Sequence, residues 1–227
     1  MTNKYNTAKY FKKTQLGRSM VEMLGVLAII GVLSVGGIAG YAKAMFKFKI
    51  NKFNEQISEI ITNIRTVYAS QSDFTDINSD IIRQLNIAPD DMYKTENSSS
   101  LTHVFGGEMY IGTAFTETMD PSLGRPVTTS HNNMFYVSVN SISQEACKSL
   151  LMSNWGNENT TGIIGLGVQY TGNSPIPTIS PYDNASEYYA KSGDSSYPLP
   201  YTITRANTAC TPTTDATLIT IFWYFIL

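Results

Sequence analysis

Between Glu22 and Lys43 the chain carries no charged side chain: Met23 to Ala42 is a run of 20 residues, mostly Leu, Ile, Val, Ala and Gly. At 1.5 Å per residue a helix of that length covers the ~30 Å hydrocarbon core of a bilayer. A buried core helix is the alternative, disfavoured by the length of the run and its lack of any polar stripe. A cleaved secretory signal would place its small polar break after a shorter apolar region, whereas here the break comes first. The period then changes. Phe46, Ile50, Phe53, Ile57, Ile60, Ile64 and Val67 are separated by alternating steps of 4 and 3, with Lys47, Lys49, Lys52, Glu55 and Glu59 largely off that stripe. Such a stripe suits a helix laid against a sheet, with a short coiled coil as the other option. Together the two patterns predict a single N-terminal helix of about 50 residues, apolar all round in its first half and one-sided in its second.

Beyond residue 70 the periodicity shortens. "SQSDFTDINSD" supplies turn residues and caps, and "DIIRQLNI" reads as a short helix ended by Pro89. "EMYIGTAF", "MFYVSVNSI" and "GIIGLGVQY" read as strands. Ser141 with Gln144 gives a capping-box signal for a helix through "QEACKSLLMSN". Residues 171–200 are rich in Ser, Pro, Gly and Tyr and read as an irregular surface excursion. The closing "TLITIFWYFIL" is too short for a second helical span and is expected as a central strand buried on both faces. The fold class is α+β: a long N-terminal helix, transmembrane half plus amphipathic half, packed on an antiparallel β-sheet head.

Charge changes this picture in one respect. Residues 54–227 hold 17 acidic and 7 basic side chains, a net charge of −10, which argues against nucleic acid as a partner. The span itself is flanked almost evenly. Lys4, Lys9, Lys12, Lys13 and Arg18 precede it, and Lys43, Lys47, Lys49 and Lys52 follow, so the positive-inside bias favours an inside N-terminus by one charge.

Candidate chemistry is sparse. The two cysteines, Cys147 and Cys210, have no CxxC or Cys/His metal spacing. In an exported chain such a pair is most simply one disulfide closing a long loop; two unpaired buried thiols are the alternative. His103 and His131 sit in polar, loop-like surroundings, and a Cys147–His131 nucleophilic pair is disfavoured because Cys147 has a cysteine to bridge. "FGG" at 105–107 lacks the strand–GxGxxG–helix context of a phosphate site, and Asp90-Asp91 reads as a solvated pair. Tyr182, Tyr188, Tyr189, Tyr197 and Tyr201 offer either a sticky, glycan-facing surface or side chains that pack the excursion down. No enzyme, cofactor or metal site is expected.

A basic leader ending in Gly17, then "RSMVE" and an apolar helix, resembles the class III leader of type IV prepilins, shared by the pseudopilins. The resemblance implies cleavage between Gly17 and Arg18 by prepilin peptidase, methylation of the new amino terminus at Arg18, and a subunit-docking role for Glu22, the fifth residue of the mature chain. Arg18 stands where the family usually carries an apolar residue. Locally, Glu22 also lies four residues from Arg18 on one helical face and beside a helix N-terminus, both favourable to a carboxylate. Gly36 and Gly40 form a small-xxx-small face for helix packing. The implied layout is a leader at 1–17, an assembly and membrane half at 18–45, an amphipathic half at 46–70, and a head at 71–227. A helix-borne cysteine paired with one just before the last strand resembles type IVb pilins, including those of conjugative thin pili. The expected partners are prepilin peptidase, copies of itself or other pilins in a fibre, an inner-membrane assembly platform and membrane lipid. The expected location is single-pass in the inner membrane, head outside, then in an extracellular fibre. A type II secretion pseudopilin and a non-polymerising, single-span anchored binding protein are the alternatives.

Overall fold

The computed structural model describes residues 20–71, 73–93, 101–114, 116–120, 125–129, 133–170, 177, 186, 188–212 and 219–226. Internal contacts divide the chain into Met1–Phe46 and Lys47–Leu227. The first helix, α1, spans Met20–Val67. In the first unit its described residues are helical, exposed through Ala44 and half-buried at Met45 and Phe46. Its most apolar 18-residue window has a mean hydropathy of 2.2, and none of that window is buried.

In the second unit α1 buries Phe53, Gln56, Ile57, Ile60, Ile61 and Ile64. The predicted stripe therefore holds through Ile64 but not at its end. Val67 is 41% exposed and the adjacent Tyr68 is buried in its place, its ring 5.3 Å from that of Phe74. After α1 come α2 (Ser79–Gln84), a 3-10 turn (Asp90–Met92), β1 (Leu101–Thr102) and β2 (Glu108–Thr113). The hairpin β3 (Thr116–Asp120) and β4 (Arg125–Thr129) precedes β5 (Met134–Ile142), α3 (Gln144–Leu151), α4 (Glu158–Thr161) and β6 (Ile163–Gln169). The chain closes with β7 (Tyr189–Lys191), α5 (Ile203–Ala209) and β8 (Ile219–Ile226).

Six strands form one antiparallel sheet in the order β1-β2-β5-β8-β6-β7, and β3 and β4 pair separately. The last apolar run is thus an inner strand, as its composition demands, with Trp223 facing Val137 on one side and Leu166 on the other. Alternation sorts its side chains onto two faces. Trp223 and Phe225 join α1, Phe74 and Phe135 in a chain of aromatic contacts: Phe53–Trp223 6.0 Å, Phe74–Phe135 4.7 Å and Phe135–Phe225 5.2 Å between ring centres. Phe222 and Tyr224 pack on the other face with Met134, Ala114 and Tyr189. The glycines in "GLG" make that second layer possible, since a Cβ on Gly167 would come within 2.3 Å of the Phe222 ring.

Several local expectations are corrected. Ser143, not Ser141, caps α3, its Oγ accepting from the Ala146 N–H at 3.3 Å; Ser141 instead has φ +57. The excursion contains a strand, β7, and is followed by a capped helix, α5, neither visible as a hydrophobic period. Asp91 is not simply solvated: its carboxylate accepts from Gln56 Nε2 at 3.2 Å and lies 3.6 Å from Lys52 Nζ, tying the 3-10 turn to α1. His103 lies in the connection between β1 and β2, as its loop-like surroundings suggest, but is buried. Its Nε2 lies 3.0 Å from the Asn140 carbonyl, its Nδ1 accepts from the Phe105 N–H at 3.3 Å, and its ring meets Phe53 at 5.6 Å.

Cys147 and Cys210 are bridged, with Cα atoms 5.9 Å apart, so the end of α5 is fastened to α3. Within that loop Arg205 is the second clamp. Its Nη1 and Nη2 donate to the Pro198 and Ser186 carbonyls at 3.3 and 2.6 Å, and its guanidinium lies over Tyr201 at 3.9 Å and Tyr197 at 4.8 Å. Tyr189 and Tyr201 are buried, so these tyrosines pack the excursion down; Tyr182 lies outside the described residues.

Tyr170, just past β6, donates its hydroxyl to the Ala209 carbonyl beside Cys210. Burial, with the nearby Tyr188 adding to it, pushes its phenol up to about 12. The folded head therefore prefers the neutral phenol. The stability this confers is complete below about pH 10, the ordinary tyrosine value, and is lost as pH rises through about 12. Thermal melts of the head between pH 8 and 12 are expected to fall above pH 10, and Tyr170→Phe is expected to shallow that fall.

Candidate assembly surface

The features that the sequence singles out fall into two groups. Gly17 and Arg18, the expected cleavage and methylation positions, lie outside the described residues, as does His131. Glu22 lies in the first turn of α1 and is exposed. Around it Met20, Val21, Met23 and Leu24 are 54–85% exposed, and the apolar face continues through Ile38. Gly36 and Gly40 are exposed on the same helix, and a Cβ at either would meet nothing within 4 Å. The surface there is open to a close-packing neighbour. An uncovered apolar helix of this length is incompatible with water. At about 25 cal/mol per Å² of apolar surface, it calls for lipid or other helices to cover it.

Among the described residues nothing comparable is placed for catalysis. A groove of about 860 Å³ in the head runs between Asn54, Ser58, Thr62 and Arg65 of α1 and the connection at Trp155, closed by Thr160 and Thr161. Its lining holds amides, hydroxyls and one guanidinium, with no acid, histidine or cysteine to act as base or nucleophile. Arg65 is already used there, Nη2 donating to the Ile226 carbonyl at 3.2 Å. Gly162, at φ +72, makes room for both groups: a Cβ would approach that carbonyl to 2.4 Å and Arg65 Nη2 to 2.5 Å. Among the described residues no group of three or more His, Cys, Asp or Glu side chains is placed to hold a metal. His103 is held by backbone partners within the aromatic core, which explains its presence without chemistry.

The head itself carries the decisive likeness. Residues 47–225 match the family model described as Bundlin. The chain belongs to the Bundlin family. It is 28% identical, over 93% of its length and 95% of the relative's, to the major structural subunit of bundle-forming pilus of Escherichia coli O127:H6. It is 27% identical over the same shares to the subunit of that name in Escherichia coli O111:H-. Among solved structures it resembles the type IV pilin TcpA of Vibrio cholerae El Tor biotype, at 15% identity and a TM-score of 0.48, with 78% of this chain and 98% of that one covered. As a Bundlin-family protein the chain is a pilin, a structural protein and not an enzyme.

The family match covers the head, whereas the leader pattern that suggested a pilin lies almost wholly before it. Two separate stretches of sequence therefore point the same way.

Proposed function

We propose that this chain is stored in the inner membrane through residues 18–45 and polymerises through that helix into a type IV pilus-like fibre, with the disulfide-clamped head on the surface. The observation that carries this reading is the Bundlin match over the head combined with an apolar helix left wholly uncovered in the single chain. In this reading prepilin peptidase cuts after Gly17 and Arg18 becomes the methylated amino terminus. Gly36 and Gly40 let neighbouring helices approach closely, and an inner-membrane platform drives extrusion.

Glu22 has the sharpest role. A carboxylate at the edge of hydrocarbon is costly unless it is neutralised, and the amino terminus of an adjacent subunit would supply the opposite charge. Arg18, four residues earlier in the sequence, would compete for it at only a few tenths of a kcal/mol if the helical pattern extends that far, so an intermolecular partner has little to displace. Glu22→Ala is expected to leave the head folded and the chain in the membrane, yet to remove the subunit from sheared surface fibres. Fibre yield by shearing and immunoblot, with membrane content as control, checks this. Wild-type yield from Glu22→Ala would eliminate the docking role, and an absence of any surface fibre from the wild-type chain would eliminate polymerisation.

A further inference from the structure

We propose that the two flanks of α1 in the head bind each other between successive copies of this chain. The groove beside Asn54, Thr62 and Arg65 of one copy receives the corner made by α2 and the 3-10 turn of the next. The inference rests on the fibre reading above and names the head surfaces that meet in it.

With about 3.6 residues per turn, Gln56 and Asn63 stand roughly 160–180° around the axis from Asn54, whereas Ser58 and Arg65 lie within about 40° of it. Gln56 and Asn63 hold the corner, their amides donating to Asp91 Oδ2 at 3.2 Å and to the Ile87 carbonyl at 2.7 Å. Asn54, Ser58 and Arg65 wall the groove. The buried Phe53, Ile57, Ile60 and Ile64 take the side between them, Phe53 packing on Trp223 of the sheet. Groove and corner therefore lie on opposite flanks of one helix. An assembly that repeats without closing joins two different patches of each copy, and opposite flanks meet that condition.

The two surfaces are chemically complementary. Arg65 is the one charged side chain in the lining of the groove, whose wall is otherwise hydroxyls and amides with Ile61 and Trp155 as its apolar part. Glu55 and Glu59 stand roughly 100–140° from Asn54 and lie outside that lining. Asn54 Oδ1 is buried without a hydrogen-bond donor among the described residues. On the corner, Leu85 is 53% exposed, an apolar knob between the exposed amides of Gln84 and Asn86. Asp80 and Asp90 are exposed too, and among the described residues neither has a cation within 4.0 Å. The other charges there are committed: Asp91 to Lys52 and Gln56, and the half-buried Arg83 to the Tyr93 ring at 5.5 Å. Residues 54–227 are net −10, so two heads repel unless a cation stands at their contact. Arg65 supplies that cation to a corner that offers carboxylates, amide donors and one leucine.

Thiol cross-linking in intact sheared fibres tests this. Both native cysteines are bridged, so a short bis-maleimide reacts only with introduced thiols. Thr62→Cys places one in the groove and Gln84→Cys one on the corner, at two exposed positions. The double variant is expected to give a ladder of dimers, trimers and longer products, and either single variant none. Co-expression of the two single variants is expected to give the dimer alone, which keeps the interface testable if the double variant assembles poorly. Fibres that yield only monomer in both designs would show that something other than this corner faces the groove. That result overturns the proposal and leaves polymerisation through the N-terminal helix standing. Dimers from a single variant would show like surfaces meeting and overturn it as well. An absence of any fibre from the wild-type chain would overturn the fibre reading together with this interface.

Discussion

Replacing the disulfide by Cys147→Ser/Cys210→Ser is expected to lower the stability of the head by about 4 kcal/mol, the chain-entropy value for a loop of 63 residues. That is a large fraction of the ~5–15 kcal/mol by which domains are stable. The loop needs the constraint. It contains β6, which joins the sheet centre, but also the short elements α4, β7 and α5, which have little core of their own. Arg205 and Tyr170 hold its last part through carbonyls at Ser186, Pro198 and Ala209, contacts that persist only while the ends of the loop stay together. Both cysteines are fully buried, so the bridge should resist reductant until the head opens. Denaturant melts of the oxidised wild type and the double Ser variant measure the difference. A loss below about 1 kcal/mol would show that packing alone closes the loop.

Trp223→Ala is the second large effect, at roughly 3–5 kcal/mol, or about 10 °C in Tm. Trp223 is wholly buried in the inner strand β8, with Phe53 at 6.0 Å and Trp155 at 5.1 Å, so truncation empties the centre of the helix–sheet layer. Trp223→Phe isolates packing from polarity. It keeps an aromatic ring and removes the indole N–H, which is buried without an acceptor among the described residues, so its loss is expected to be only about 1 kcal/mol. Calorimetry of the three proteins gives the ranking. Equal losses from the Ala and Phe variants would contradict the central position of this ring.

The sequence is most legible where one physical demand acts alone. The apolar run at 23–42 was read from its length as part of one long helix and lies within α1, and the continuous apolar character of residues 219–226 suits the inner strand that they form. The stripe from Phe53 to Ile64 follows from helical period, but its end was set by tertiary packing: Tyr68, beyond the regular step, reaches Phe74 while Val67 faces solvent. Elements with little apolar period were invisible. Helix α4, "ENTT", exists through a capping box between Asn157 and Thr160, and β7 through pairing with β6. The burial of His103 was not legible because the groups around it, the Asn140 carbonyl that its Nε2 meets and the Phe53 ring that it packs against, are distant in the chain. Ser141 and Ser143 both offer a cap, and only the positive φ at Ser141 decides between them.

The assembly surface divides along the same line. Glu22, Gly36 and Gly40 were readable as a pattern because each breaks the chemistry of its surroundings, a carboxylate beside hydrocarbon and glycines in a helix. In the proposed fibre their partners belong to other chains, and no single sequence encodes that geometry. The head, by contrast, carries its evidence internally, in the bridge between Cys147 and Cys210 and the inner strand β8.

Intact-mass spectrometry of the membrane and surface-sheared fractions bears most directly on processing and polymerisation through the N-terminal helix. A chain beginning at Arg18, with or without an added methyl group, in the sheared fraction is the expected result. An intact Met1 start in cells that carry prepilin peptidase would contradict it.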